Sequence, residues 1–399
     1  MATELRYTPA SASEVEGIVR EAAADRRTLA VCGGGSKRMM WLQDAAAILD
    51  MSTVAGITNY DPDELVVTAL AGTPLAQIEA TLAQRRQMLA FEPFDHGPLF
   101  GEPAGRATLG GIVAGNVSGP RRISAGAARD HILGFSAVSG RGEAFKGGAA
   151  VVKNVTGFDL PKLMAGSWGT LAVLTSLTLR VLPLPRAEKT LLFGSLEGEA
   201  AGGLMTRAMA SRAAVSSAAH LCSDGIVGLR IEGFGPSVDS RCLELSRAFG
   251  DAGTPKTIEA EESQAFWRRL RALEMLPTAA HVLWRISLPP AAAWKLTDAL
   301  KAAGAHCVAD WAGGLVWAAL PEREAGVTDD STFTLAAAHG GHAVLVRAPR
   351  EKRGSGGLAV GSGGAAASDE ALRQLQSRVK SAFDPLGILN PGLIPGAGL

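Results

Sequence analysis

Three glycine-rich segments in the first half of the chain have the composition of a site for a phosphate-bearing ligand. They span residues 33–37, 108–119 and 153–166. Glycine lets the backbone approach a ligand closely and take positive φ, so that successive N–H groups can converge on a pyrophosphate. One such loop would indicate little, whereas three together favour a cradle for a dinucleotide.

The first of these segments reads Gly33-Gly34-Gly35-Ser36-Lys37. It is not a Rossmann fingerprint, because position 38 is not a glycine, and it is not a Walker A loop, because no glycine directly precedes the lysine. An unusual phosphate loop and an ordinary glycine-rich turn both remain open. Lys37 favours the phosphate loop, since a lysine beside a backbone nest supplies the positive charge that a pyrophosphate requires.

Arg285 is the best candidate for contact with a small anion. It interrupts the apolar, strand-like run 282–288, and a charge on such a strand needs a partner. If the strand faces a ligand site, the guanidinium can clamp a carboxylate through two hydrogen bonds. An internal ion pair is the equally open alternative.

His342 is the second catalytic candidate. Together with His339 it frames Gly340 and Gly341, a spacing that could serve acid–base chemistry or metal binding. No carboxylate-rich signature accompanies the two histidines, so we predict no metal site. A histidine near a strand end, hydrogen-bonded to the backbone, is the favoured interpretation of this pair.

Composition restricts the class of protein. The 399 residues include 39 basic and 39 acidic side chains, and 47% are hydrophobic. Arginine pairs are scattered along the chain, which argues against nucleic-acid binding. The four cysteines lack the spacing of zinc or iron–sulfur ligands. Without a signal peptide or an apolar run of about 18 residues, the sequence predicts a cytoplasmic protein with peripheral membrane association at most.

Periodicity in the sequence predicts the elements that must position these residues. A helix near 13–25 and a long strand over 171–182 belong to a first half in which helices and strands alternate. The second half predicts an antiparallel sheet covered by helices. The predicted parts are a first domain over 1–185, a second domain over 186–349, a flexible Gly/Ser-rich linker over 350–368, and a C-terminal helix and tail over 369–399.

Motifs along the whole chain form one recognisable set. In the first half they lie at 31–37, 107–119, 131–134 and 153–183, and in the second half they are Trp284-Arg285, Asp310-Trp311, Gly341-His342-Ala343 and the run from Phe383 to Gly392. This set resembles the FAD-binding proteins of the vanillyl-alcohol oxidase and p-cresol methylhydroxylase superfamily. Within that superfamily it is most similar to the family of FAD-binding E subunits of bacterial glycolate oxidases.

The resemblance implies an α+β fold in which a two-subdomain FAD-binding domain of the p-cresol methylhydroxylase (PCMH) type precedes an antiparallel sheet cap domain with covering helices. It also implies that the C-terminal tail returns to the FAD site. Covalent members carry a histidine where this chain has Ser36 and Lys37, so the implied FAD is non-covalent. Ala172 departs from a frequent glycine. The residues implied to bind FAD are Gly33, Gly34, Gly35, Ser36, Lys37, Thr108, Gly110, Gly111, Ser118, Gly119, Lys153, Gly157, Asp159, Leu171, Ala172, Val173 and Asn390.

The resemblance further implies an enzyme that oxidises a 2-hydroxy acid, glycolate to glyoxylate, with hydride transfer to flavin. The implied partners are a second flavoprotein subunit and an iron–sulfur subunit, with peripheral attachment to the inner face of the cell membrane. Two alternatives stay open: a stand-alone FAD-dependent D-2-hydroxy-acid dehydrogenase of the D-lactate type, and a non-catalytic flavin-binding or assembly subunit.

Overall fold

The computed structural model describes residues 5–37, 45–148, 159–277, 281–322, 330–349 and 370–393. Within these ranges the helices are α1 (Ala12–Ala24), α2 (Leu75–Gln84), α3 (Leu109–Ala114), α4 (Arg122–Ala125), α5 (Leu160–Met164), α6 (Gly198–Ala210), α7 (Gly235–Ala248), α8 (Ala260–Arg271), α9 (Ala293–Ala302), α10 (Asp330–Ala338) and α11 (Glu370–Phe383). The strands are β1 (Leu5–Tyr7), β2 (Leu29–Cys32), β3 (Ala47–Asp50), β4 (Ile57–Asp61), β5 (Val66–Leu70), β6 (Gln87–Met88), β7 (Ile132–Ser139), β8 (Ala144–Gly148), β9 (Ala172–Arg180), β10 (Leu182–Pro183), β11 (Ala187–Phe193), β12 (Ser217–Leu221), β13 (Ile226–Gly233), β14 (Lys256–Glu259), β15 (His281–Ser287), β16 (His306–Asp310), β17 (Leu315–Pro321) and β18 (His342–Arg347).

A small parallel sheet of order β1-β3-β2 begins the fold. Helix α1 crosses from β1 to β2, and the helix predicted near 13–25 is thereby confirmed. Its N-cap is Ser11, whose hydroxyl accepts a hydrogen bond from the backbone N–H of Glu14. Val15, Val19 and Ala22 are fully buried at helical spacing, so the amphipathic pattern fixes the face that packs on the sheet.

A second, antiparallel sheet of order β4-β5-β9-β7-β8 completes the first part of the chain. Its central strand β9 lies within the predicted strand over 171–182. Strands β7 and β8 form a hairpin, with Val138 paired to Ala144. Together the two sheets give the two-subdomain arrangement that the resemblance implied.

The second part of the chain forms an eight-stranded antiparallel sheet of order β14-β11-β13-β12-β16-β17-β15-β18. Helices α6, α7, α8, α9 and α10 pack on it. The predicted antiparallel sheet with covering helices is therefore confirmed. Strand β15 lies between β17 and β18, and this order places Arg285 opposite Trp317 on one side and Val344 on the other.

A continuous apolar core joins the two parts, and one contact in it is the edge-to-face pair of Phe94 and Trp317, with ring centroids 6.4 Å apart. A buried ionic cluster reinforces this junction. The carboxylate of Glu92 accepts hydrogen bonds from Arg121 (2.7 Å) and from both terminal nitrogens of Arg230 (2.9 and 2.7 Å), and Glu232 also pairs with Arg121. Acidic and basic side chains from both parts thus neutralise one another at the interface.

The C-terminal tail returns to the first sheet, as predicted. After α11, the N–H of Leu29 in β2 donates to the carbonyl of Ile388 at 2.7 Å. The buried ammonium of Lys380 fixes the turn that follows α11. It donates to the carbonyl of Thr170 and to the carboxylate of Asp384, both at 2.6 Å. The predicted linker over 350–368 lies outside the described residues.

Candidate functional site

A cavity with about 690 Å³ of empty space, partly open to solvent, lies where the loop after β2 meets α3 and the start of β9. We call it the first cavity. Its wall consists mainly of glycine backbone and apolar side chains. Of the predicted cofactor residues, it brings together Gly33, Gly34, Gly35, Ser36, Lys37, Thr108, Gly110, Gly111 and Ala172.

The glycine loop is held in place by the segment that precedes α3. Asp95 organises that segment, because its carboxylate accepts hydrogen bonds from the backbone N–H groups of residues 105, 106 and 107 at 2.9, 2.9 and 3.2 Å. The side chain of Arg106 then donates to the carbonyl of Gly34 at 2.9 Å. A Cβ on Gly34 would lie 1.8 Å from the carbonyl oxygen of Arg106, so this glycine is required by packing within the protein.

Lys37 is the cation of the first cavity. Its side chain is only 6% exposed and lies along α3, where Gly111 and Gly115 leave room for it. A Cβ at these two positions would lie 3.7 Å from Nζ and 3.2 Å from Cε. Burial lowers the pKa of Lys37 to about 8, although the nearby Asp95 carboxylate opposes the shift. Within the described ranges, its ammonium has neither a hydrogen-bond nor an ion-pair partner.

Asn390 positions two walls of the first cavity at once. Its side-chain oxygen accepts from the N–H of Val31, and its amide nitrogen donates to the carbonyl of Trp168, both at 2.7 Å. Val31 and Trp168 both line the cavity. The predicted return of Asn390 to the site thus takes the form of a bridge between its walls.

A second cavity, with about 780 Å³ of empty space, lies between the first part of the chain and the eight-stranded sheet. Trp168 lines both cavities, so the two adjoin. Its lining includes His96, Ser118 and Arg122 from the first part of the chain. The sheet contributes Arg285 and the apolar residues Trp317, Val344 and Val346.

The second cavity is cationic. The guanidinium carbons of Arg122 and Arg285 lie 4.0 and 5.4 Å from the ring centroid of Trp311. Burial and the charge of Arg122 lower the pKa of Arg285 to about 10. The guanidinium of Arg285 donates to the hydroxyl of Ser287 at 3.2 Å, and no acidic side chain of the described residues forms an ion pair with it. The prediction of an internal ion pair for Arg285 therefore has no support within these ranges.

His96 is an uncharged polar group in the wall of this cavity. It is 5% exposed, and its ring stacks on Phe94 with centroids 4.4 Å apart. Its buried Nδ1 has no hydrogen-bond partner among the residues that the structure describes. Burial and the charge of Lys37 lower its pKa well below the usual value, so the imidazole is neutral at physiological pH.

Several predicted site residues lie away from the first cavity. Ser118 lines the second cavity, and its hydroxyl accepts from the N–H of Ala128. Gly119 packs against Glu92, and its carbonyl accepts from the indole of Trp311 at 3.0 Å. The other residues are placed as follows: Asp159 caps α5, Leu171 lies in a groove beside α11, Val173 belongs to the core, and His342 is exposed at the start of β18. Lys153 and Gly157 lie outside the described residues.

His339 directly follows the last residue of α10. The Nδ1–H of His339 donates to the carbonyl of Leu335 at 2.9 Å, which agrees with the favoured structural interpretation of that residue. In the part of the chain that the structure describes, no group of three or more His, Cys, Asp or Glu side chains is placed to hold a metal ion. Nor does any described helix have the length and apolar character to cross a membrane.

Sequence reasoning missed residues that the fold brings to the first cavity from distant segments. Asp95, which shapes the loop before α3, has no motif around it that marks this role. Trp168 and Gly169 follow a glycine-rich stretch and could have been found from it. The cavity also contains Met51, Ala71 and Leu174, which are ordinary apolar residues in the sequence and carry no local signal.

Comparison with known proteins is consistent with this geometry. Residues 3–148 match the family model described as an FAD binding domain. The chain is 33% identical over 378 residues to the glycolate oxidase subunit GlcE of Escherichia coli K12, covering 94% of each protein. It is 35% identical over 145 residues to a D-lactate dehydrogenase of Anaerostipes hadrus, covering 36% of this chain and 29% of that enzyme. Among solved structures, an alkyldihydroxyacetonephosphate synthase shares the fold, with a TM-score of 0.69 at 16% identity over 97% of this chain and 75% of the synthase.

Proposed function

Because the chain belongs to the FAD-binding family of the glycolate oxidase E subunit, we propose that it is a flavoprotein subunit of an assembly that oxidises a 2-hydroxy acid, glycolate to glyoxylate. One observation carries this proposal. The first cavity, with its glycine backbone and buried ammonium, adjoins at Trp168 a second cavity in which the Arg285 guanidinium has no ion-pair partner among the described residues. A dinucleotide and a small carboxylate can therefore lie side by side.

The residues of the first cavity fit an FAD bound without a covalent link. Lys37 offers a positive charge with no partner in the described ranges, which suits a diphosphate. The backbone around Gly35, Gly110 and Gly111 would approach the same group, and Ala172 would contact the more apolar portion of the cofactor. When bound, FAD supplies the hydride acceptor, while the chain binds, orients and shields the reactants.

Arg285 is proposed to bind the carboxylate of the 2-hydroxy acid. Its planar guanidinium can form two parallel hydrogen bonds with a carboxylate, and the half-buried cavity strengthens them. Such a clamp fixes the substrate so that its Cα–H faces the neighbouring first cavity. His342 remains the second catalytic candidate: it is exposed at the start of β18, and its strand partner Ser287 also contacts Arg285.

The assembly is proposed to contain a second flavoprotein subunit and an iron–sulfur subunit, which would receive the electrons. Support for an assembly is the name of the E. coli relative, which describes it as one subunit of glycolate oxidase. Attachment to the inner face of the cell membrane would then be peripheral and mediated by the assembly.

The experiment is to purify the chain from its native host together with whatever accompanies it, and to measure bound flavin and its reduction by glycolate. We expect stoichiometric, acid-releasable FAD. Arg285→Gln should keep the FAD but raise the KM for glycolate by about 100-fold, because two charge-assisted hydrogen bonds are lost. Arg269→Gln removes an exposed arginine and is the matched control.

The other outcomes separate the alternatives. A colourless chain that takes up no added FAD would contradict the proposal and favour a flavin-free scaffold. Glycolate-dependent dye reduction by the chain alone would show that it is catalytic without partners. Reduction only in the complete assembly would instead support a role in electron transfer or assembly.

A further inference from the structure

Two guanidinium groups in the second cavity share one aromatic ring and have no acidic partner. Arg122 and Arg285 both lie against Trp311 and both line the cavity. No carboxylate of the described residues forms an ion pair with either. The charge of Asp130 acts on Arg122 from a distance, but the Asp130 carboxylate accepts from the N–H of residue 127 and lies 3.8 Å from Arg129.

Two other buried arginines of the same interface do have acidic partners. Arg121, next to Arg122 in the sequence, pairs with Glu92, Glu188 and Glu232. Arg230 pairs with Glu92 at 2.7 Å. At Arg121 and Arg230 the fold therefore supplies carboxylates. The cavity arginines lack them, which is expected of groups whose counterion is a ligand.

The charge of the cavity indicates the charge of that ligand. His96 is neutral for the reasons given above, so Arg122 and Arg285 are the two positive charges of the second cavity. The repulsion between them is part of the reason that the pKa of Arg285 falls. A monoanion such as glycolate offsets one of these charges, whereas a dianion offsets both.

We propose that the second cavity recognises 2-hydroxy dicarboxylates, with the carboxylate beside the hydroxyl on Arg285 and the second carboxylate on Arg122. Both guanidinium groups lie against the ring of Trp311. That the ligand is a 2-hydroxy acid rests on the proposed function. That it carries two carboxylates rests on the two arginines alone. Arg122 is thus a specificity-determining residue.

Isothermal titration of the purified, FAD-loaded chain with three related acids tests the inference. Glycolate carries one carboxylate, and tartronate and malate carry the same 2-hydroxy carboxylate with a second one. We expect the tighter of the two diacids to bind at least about ten-fold more tightly than glycolate, because a charge-assisted hydrogen bond contributes at least that factor. This comparison needs no variant, so it does not depend on whether a variant folds.

Variants then assign the second carboxylate to its residue. Arg122→Gln should abolish the preference for the diacid, so that glycolate, tartronate and malate bind with similar affinity, whereas Arg285→Gln should weaken all three acids by about ten-fold or more. Arg129→Gln is the matched control, since it removes an exposed arginine seven positions along the chain and outside the cavity. An unchanged thermal midpoint identifies variants that fold normally.

Three results would overturn the inference: diacids that bind no more tightly than glycolate, a diacid preference that survives Arg122→Gln, or sulfate that binds as tightly as the diacids. Failure of the proposed function looks different. A chain that binds FAD and accepts electrons from glycolate but lacks a diacid preference contradicts this inference alone. A chain that takes up no FAD yet prefers diacids contradicts the proposed function alone.

Discussion

Replacement of Lys37 by methionine gives a direct test of the first cavity as a diphosphate site. Methionine keeps most of the apolar stem that packs along α3 beside Gly111 and Gly115, but it removes the ammonium. Because that ammonium is buried and has no partner in the described ranges, its removal breaks no contact seen within the protein. The expected loss is therefore in FAD affinity, while the fold should be retained.

The magnitude follows from the chemistry of the contact. A hydrogen bond to a charged group contributes about 1.5–3 kcal/mol, so Lys37→Met should weaken FAD binding by about 10- to 150-fold. The pH dependence has a definite sign. The pKa of Lys37 is lowered to about 8, and a bound diphosphate raises it because it favours the charged form. Wild-type affinity should therefore be constant below pH 8 and should fall as pH rises through 8, by at most about ten-fold per pH unit.

The assay is quenching of flavin fluorescence on binding to the FAD-free chain, measured from pH 6.5 to 9.5. Lys37→Met should show weak binding with no change of affinity around pH 8. Lys162→Met is the matched control, because Lys162 is exposed and pairs with Asp159 on the surface. The reasoning is refuted if Lys37→Met binds FAD within two-fold of the wild type, or if both proteins show the same decline above pH 8.

Two further predictions concern the groups that hold the cavities together. Glu92→Gln leaves two buried guanidinium groups without their full counter-charge and should lower the free energy of unfolding, measured in urea at pH 7, by about 3–5 kcal/mol. The control Glu262→Gln breaks an exposed ion pair and should change that free energy little. The pKa of Glu92 is lowered to about 2, because its two arginine partners outweigh the effect of burial. Its contribution is therefore complete above pH 4.5 and is lost as pH falls toward 2, a loss that the variant should not show. Asn390→Gly removes the side-chain amide that joins Val31 to Trp168, and glycine suits the positive φ of 44° at this position. The variant should bind FAD about ten-fold more weakly. Unchanged FAD binding would contradict the bridging role.

Local elements of this fold were predictable because their signals are local. The cap at Ser11 and the apolar spacing after it specify α1 within a residue or two. The turn around Gly142, where φ is 73°, specifies the hairpin of β7 and β8. The order of the eight-stranded sheet was not predictable, since β17 lies between β15 and β16 through pairings that no sequence pattern encodes.

The role of the glycines was only partly predictable. The sequence suggested that the missing side chains make room for a phosphate. At Gly33 and Gly34, however, a Cβ would lie 2.1 Å from the hydroxyl of Thr108 and 1.8 Å from the carbonyl oxygen of Arg106. Alanine at either position would disturb the protein itself, so its effect on FAD binding would not identify a phosphate contact. Lys37 is the better probe because it lines the first cavity and its ammonium has no partner within the described ranges.

Adjacent arginines show most clearly what a linear sequence leaves undecided. Arg121 and Arg122 stand together at the start of α4, and the sequence offers no reason to treat them differently. Successive residues at a helix start point about 100° apart, so one guanidinium turns toward three glutamates and the other toward the second cavity. The first is neutralised inside the protein, and the second keeps its charge for a ligand. Electrostatic repulsion is thereby confined to the cavity, where a bound anion relieves it.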